Sequence, residues 1–108
     1  MPFGVRLTQD AARDLRDIVE YIATHHDASA AHHVLDQIEG ILSTLRESPE
    51  RGAYPKELLA LGIRNYREIF FKPYRVVYAV EDRDVFVLLI ADGRRDFRTL
   101  LNRRLLEG

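Results

Sequence analysis

Apolar side chains recur every three or four residues from Ala11 to Leu45, and every second residue from Tyr66 onward. That change of period divides the chain into a helical half and a stranded half. Ala11, Leu15, Ile18 and Ile22 step by four, three and four, with Ala12 and Val19 widening the stripe. Arg13, Asp14, Arg16, Asp17 and Glu20 lie between them, which is the pattern of an amphipathic helix. Thr8 suits its N-cap and Asp10 its first turn, so Val5 to Leu7 reads as a short edge strand ahead of it. His25-His26-Asp27 ends this helix, and a second begins at Ala28 or Ser29. There Ala31, Val34, Ile38, Ile41 and Leu45 form the stripe, with Leu35 and Leu42 beside it, until Pro49 closes the helix and Arg51-Gly52 opens a loop. Two long helices joined by so few residues predict an antiparallel hairpin with one shared apolar face. Gly40 interrupts the second helix at a cost of about 1 kcal/mol relative to Ala, which close helix packing would explain.

In the second half Tyr66, Glu68 and Phe70 alternate with Arg67, Ile69 and Phe71, and Lys72-Pro73 turns the chain. Tyr74, Val76, Tyr78 and Val80 then alternate with Arg75, Val77, Ala79 and Glu81. After a polar turn at Glu81-Asp82-Arg83-Asp84 comes Val85 to Ala91, apolar on both faces and therefore expected to be central and covered twice. The helical hairpin is one cover. The other is expected from a final helix with Asp96 as N-cap and Phe97, Leu100, Leu101 and Leu105 on one side. The order β–α–α–β–β–β–α defines an α+β fold, a helical hairpin on a small, mostly antiparallel sheet with a short C-terminal helix.

Composition narrows the class. One domain is expected over residues 1–108, with 46% hydrophobic and 31% charged residues. No apolar run approaches the roughly 20 residues that span a bilayer, and Met1-Pro2-Phe3-Gly4-Val5-Arg6 is no signal peptide. The absence of cysteine removes disulfides, thiolate chemistry and Cys-based zinc sites, so a cytoplasmic protein without membrane contact is expected. The net charge of −1 conceals a division: residues 1–63 carry six Lys/Arg against ten Asp/Glu, residues 64–108 ten against seven. The two halves are thus suited to different partners.

Several chemistries lack their residues. His25-His26 and His32-His33 are adjacent pairs straddling a helix break, whereas metal ligands on one helix sit three or four apart. No metal or other cofactor is expected. There is no G-x-S-x-G, no Gly-rich phosphate loop and no paired-carboxylate motif, which excludes serine hydrolases, kinases and dinucleotide enzymes. What remains is basic and aromatic: Lys56, Arg64, Tyr66, Arg67, Lys72, Tyr74, Arg75, Tyr78 and the Asp92-Gly93-Arg94-Arg95-Asp96 corner followed by Arg98. Such groups can serve a metal-free ribonuclease, the cations holding the scissile phosphate while a His, Glu or Tyr takes the 2′-hydroxyl proton. They can equally be structural, with Tyr74 and Tyr78 filling one sheet face and Arg75 paired with a carboxylate.

The ordered string Leu7-Thr8, Ala11, Asp14-Leu15, Ile18, Tyr21-Ile22, Pro49, Arg51-Gly52, Gly62-Ile63-Arg64, Tyr74-Arg75-Val76-Val77-Tyr78 and Arg94-Arg95-Asp96 resembles the RelE/ParE superfamily. These are the toxins of bacterial type II toxin–antitoxin pairs, and the resemblance spans essentially the whole chain. It implies one of two mechanisms. RelE-like members cut mRNA in the ribosomal A site with basic residues and an acid–base group near the C-terminus. ParE-like members lack that set and poison DNA gyrase. Here Phe97 follows the corner and cannot transfer a proton, and no His or Tyr occurs after Tyr78. Glu68, Glu81 and Asp92 remain as bases that nothing singles out. The resemblance therefore implies a gyrase-binding inhibitor rather than an enzyme, with Arg94, Arg95, Arg98, Arg103 and Arg104 as target contacts. The alternative it carries is an mRNA endonuclease acting on the ribosome, with Lys56, Arg64, Arg67, Arg75 and Arg94 around the phosphate. Either implies a cognate antitoxin, of the ParD-like ribbon-helix-helix kind for the gyrase branch. Its C-terminal part would order over the hairpin and the exposed side of the sheet.

Overall fold

A computed structural model describes residues 2–107. Strand β1, Gly4–Leu7, leads into α1, Gln9–His25, and α2, Ala28–Ser43, follows after two residues. Both helices start where a side chain can accept an orphan N–H. Thr8 Oγ1 accepts from Ala11 at 3.1 Å, and Asp27 Oδ1 from Ala30 at 2.7 Å. α2 tightens into a 3₁₀ turn at Thr44–Arg46. The loop beyond it contains a helix that apolar periodicity did not predict, α3, Lys56–Leu59. Four residues are too few to show a period; Pro55 just before them, with its fixed φ, is the local signal that could have found it.

The stranded half forms β2, Arg67–Phe71, β3, Tyr74–Glu81, and β4, Asp84–Asp92. They join β1 in one four-stranded sheet ordered β1-β4-β3-β2, with β1 parallel to β4 and the other pairs antiparallel. The chain then enters α4, Phe97–Leu101, which continues as a π-helical turn over Asn102–Leu106. Asp96 caps α4, accepting from Thr99 N–H at 3.2 Å. Among the described residues no helix is long and apolar enough to cross a membrane.

β4 is covered on both sides, as its uninterrupted apolar run predicts. On one face Val76, Tyr78, Val85, Val87 and Ile90 pack with Ile38, Leu42 and Leu45 of the hairpin side. On the other, Val77, Leu89 and Ala91 pack with Leu58 of α3 and with Phe97 and Leu101 of α4. A helix as short as α4 is marginal by itself. Burying Phe97 and Leu101 to 3% and 1% exposure stabilises its docking by roughly 1.5–3 kcal/mol each. This second cover reaches only one end of the sheet, since Ala79, Phe86 and Leu88 at the other end stay half-buried. Tyr78 fills the hairpin-side core completely, and its hydroxyl accepts from the Gly52 N–H at 3.0 Å, which ties down the loop after α2. One expectation fails: Gly40 is exposed and a Cβ there would meet nothing within 4 Å, so close helix packing does not account for it.

Candidate functional site

The corner between β4 and α4 is built by two aspartates. Asp92 Oδ1 accepts from the Arg94 N–H at 2.9 Å and from its Nε at 3.0 Å, while Oδ2 takes Nη2 at 2.6 Å. Arg94 thereby holds the Asp92 carboxyl below the usual carboxylate range. The Arg95 N–H closes the turn on the Asp92 carbonyl at 3.2 Å, and Asp96 starts the helix. The Arg94 side chain remains 80% exposed despite its pair. Arg95, Arg98 and Arg103 are exposed and form no ion pair among the described residues.

Beside the corner lies an open cleft of ≈570 Å³ between α1 and the adjoining ends of β3 and β4. Ile18, Tyr21 and His26 form its α1 wall, and Tyr74, Arg94 and Arg95 the other. Burial pushes the Tyr74 hydroxyl pKa up, and the Asp92 charge adds to the shift. Tyr21 is 60% exposed and its ring stacks on His25 with centroids 4.0 Å apart. Ile18, Tyr21 and His26 of the α1 wall stand out in the sequence, but not as candidate site residues. An exposed tyrosine next to the apolar stripe was its one visible sign.

Arg75 is not at the surface. Its Nη1 and Nη2 clasp Glu57 of α3 in a bidentate pair at 2.9 and 2.8 Å, and its Nε donates to Glu68 of β2 at 2.8 Å. The guanidinium also lies over the Phe97 ring, 3.8 Å from the centroid. Arg75 holds Glu57 below the usual carboxylate range, whereas burial pushes Glu68 up. The two carboxylates thus engage all three guanidinium nitrogens. The pairing with a carboxylate, the structural alternative for Arg75, is what the structure shows.

Arg104 is likewise turned inward. It donates to both oxygens of Asp14 at 2.8 and 3.0 Å and to the Leu88 carbonyl at 2.8 Å. Asp14 also accepts from the Ile90 N–H at 2.9 Å. β1 pairs with β4 only as far as Val87, so Asp14 and Arg104 satisfy the edge of β4 where β1 stops. Arg104, expected from sequence among the target contacts, is therefore ion-paired and mostly buried, unlike Arg95, Arg98 and Arg103. Arg67 is engaged too, with Nη1 on the Glu50 and Gly52 carbonyls at 3.2 and 2.9 Å and its guanidinium over the Tyr54 ring. Lys56 and Arg64 are exposed. The five cations anticipated around a scissile phosphate are thus divided between buried, loop-tying and surface settings.

The chain matches the family model described as ParE toxin of type II toxin-antitoxin system, parDE, over residues 5–97. It is 26% identical over 97 residues to Toxin ParE3 of Caulobacter vibrioides, covering 90% of this chain and 93% of that one. Among solved structures it resembles the chromosomal ParDE system from P. aeruginosa, with a TM-score of 0.70 and 19% identity over 83% of this chain and 95% of that one. It also resembles the Mycobacterium tuberculosis RelBE2 complex, with a TM-score of 0.60 and 20% identity over 85% and 92% of the two chains. A double mutant of E. coli RelE in the free state gives 0.64 and 19% identity over 98% and 100%. The fold is therefore common to both branches of the RelE/ParE superfamily, and the match over residues 5–97 places this chain in the family of ParE toxins of type II toxin–antitoxin systems.

Proposed function

We propose that this toxin acts by binding and inhibiting DNA gyrase, with the exposed Arg94–Arg95 corner and Arg98 and Arg103 on the following helix as its contacts. The observation that carries this reading is the state of Arg75. Arg75, one of the five cations expected around a scissile phosphate, is enclosed by Glu57 and Glu68 at 2.8–2.9 Å. Phe97, at the position where an acid–base group is needed, lies beneath it at 3% exposure. Neither can take part in 2′-hydroxyl chemistry as arranged, since such catalysis needs the proton-transfer group within hydrogen-bond reach of the substrate. The exposed cations are suited to gripping a protein surface, where arginine is enriched among energetically dominant contacts.

A cognate antitoxin neutralises the toxin in this reading, supported by its similarity to the ParDE toxin–antitoxin system and the RelBE2 toxin–antitoxin complex. The hairpin surface and the half-covered end of the sheet around Ala79, Phe86 and Leu88 offer apolar anchors for a segment that orders on binding. Its place of action, the bacterial cytoplasm, follows from the gyrase target.

Expression of the toxin without an antitoxin separates the two superfamily mechanisms. Gyrase poisoning predicts filamentous cells and an SOS response while amino-acid incorporation continues at first. Immediate arrest of incorporation with no SOS response would instead support the mRNA endonuclease and overturn the gyrase reading.

A further inference from the structure

The Asp92–Arg95 corner rests on the side chain of Arg75, and the contact is close. A Cβ on Gly93 would lie 2.9 Å from Arg75 Cδ, 3.0 Å from its Cγ and 3.3 Å from the Pro73 carbonyl oxygen. The Gly93 N–H donates to that same carbonyl at 2.7 Å. The aliphatic stem of Arg75 is therefore the floor of the turn. Its head fixes the exit, because the guanidinium covers the Phe97 ring at 3.8 Å, and Phe97 is the first residue of α4. The guanidinium is itself held from two further elements, by Glu57 of α3 and Glu68 of β2. Arg94 and Arg95 thus sit between two points, Gly93 and Phe97, both set by one buried side chain.

We propose that Arg75 is a positioning residue for target binding, which holds the Arg94–Arg95 turn in its binding geometry without touching the target. The proposal rests on the reading of that corner as the target contact. It also explains why an arginine is needed. A planar guanidinium can make a bidentate pair with one carboxylate, donate to a second and stack on a ring at once, whereas an ammonium cannot. A lysine at position 75 would keep the charge and most of the stem, yet lose the fork that fixes the head over Phe97. Preorganised contacts bind more tightly because the ordering is already complete before the partner arrives.

The test combines amide hydrogen exchange with gyrase inhibition for Arg75→Lys, Arg95→Ala and the double variant. Exchange at the Arg95 N–H, bonded to the Asp92 carbonyl, is expected to accelerate about tenfold in Arg75→Lys, with amides of α2 unchanged. The concentration for half-inhibition of gyrase is expected to rise about tenfold, and Arg75→Lys is expected to cost clearly less in the Arg95→Ala background, where Arg94 alone is left to position, than in wild type. Equal acceleration throughout α2 and the corner, or losses that simply multiply in the double variant, would overturn the proposal. Should Arg75→Lys fail to fold, Glu57→Gln loosens the same guanidinium and must show the same localised acceleration; unchanged exchange at Arg95 in that variant overturns it as well. If the wild-type toxin does not inhibit gyrase, the functional reading fails, and the exchange measurement still decides whether Arg75 holds the corner.

Discussion

Replacing Asp14 with alanine probes how the C-terminal helix is fastened to the rest of the domain. The carboxylate accepts three hydrogen bonds, from the Ile90 N–H at 2.9 Å and from Arg104 at 2.8 and 3.0 Å. Asp14 and Arg104 keep 17% and 23% side-chain exposure, so solvent screens their attraction and the pair contributes about 1 kcal/mol. Loss of the Ile90 partner adds roughly 1–3 kcal/mol, because a strand N–H on a buried residue then lacks a protein acceptor. Asp14→Ala is therefore expected to lower stability by about 3 kcal/mol, a fall in urea midpoint of about 1–3 M for a domain of this size. Arg104→Met leaves the Ile90 bond intact but removes the donor to the Leu88 carbonyl together with the ion pair, and is expected to lower stability by about 1–2 kcal/mol. Equilibrium urea unfolding followed by circular dichroism measures both. An Asp14→Ala loss below about 0.5 kcal/mol, the range of an ordinary surface change, would refute the claim that this carboxylate completes the edge of β4.

Gly40→Ala is expected to stabilise the protein by about 0.5–1 kcal/mol, since the site is exposed, helical and open around the new methyl; thermal unfolding checks it, and a lowered midpoint would contradict the open surroundings of the site. The pH dependence of Glu57→Gln follows from the depressed pKa of Glu57. A carboxyl held below its ordinary 4.5 by Arg75 contributes stability that is present above that value and lost as pH falls through and below it. Wild type should accordingly exceed Glu57→Gln in urea midpoint at about pH 7, and the gap should hold down to 4.5 and shrink as pH falls below it; a gap unchanged down to about pH 3 would contradict the pairing.

The caps and periods of the two long helices were legible in the sequence because each depends on residues within one or two turns. Thr8 and Asp96 cap as their positions predict, and Asp27, read only as part of the break between the helices, caps the second. The burial of β4 on both faces was legible for the same kind of reason, its side chains being apolar at every position from Val85 to Ala91. The fates of the arginines were not. Arg75 pairs with Glu57 and Glu68, and Arg104 with Asp14, across 18, 7 and 90 positions of chain, and no local pattern records such a meeting. A string of cations after a change of period looks alike whether its members point outward or inward. Only the packing of α3 and α4 onto the sheet separates Arg94 and Arg95, left outside, from Arg75 and Arg104, taken in. Gly40 shows the opposite limit, a residue whose sequence position suggested a packing contact that the helix pair does not make.

On the proposed function the exposed corner grips gyrase and performs no chemistry. Its most direct test is a supercoiling assay with purified gyrase, comparing the wild-type toxin with the Arg94→Glu/Arg95→Glu variant, alongside ribosomes translating a defined mRNA. The account predicts that wild type inhibits supercoiling, that the charge-reversed corner does so at least tenfold less well (about 1.4 kcal/mol), and that the mRNA stays intact. Supercoiling that proceeds unhindered while the mRNA is cut in the ribosomal A site would contradict it.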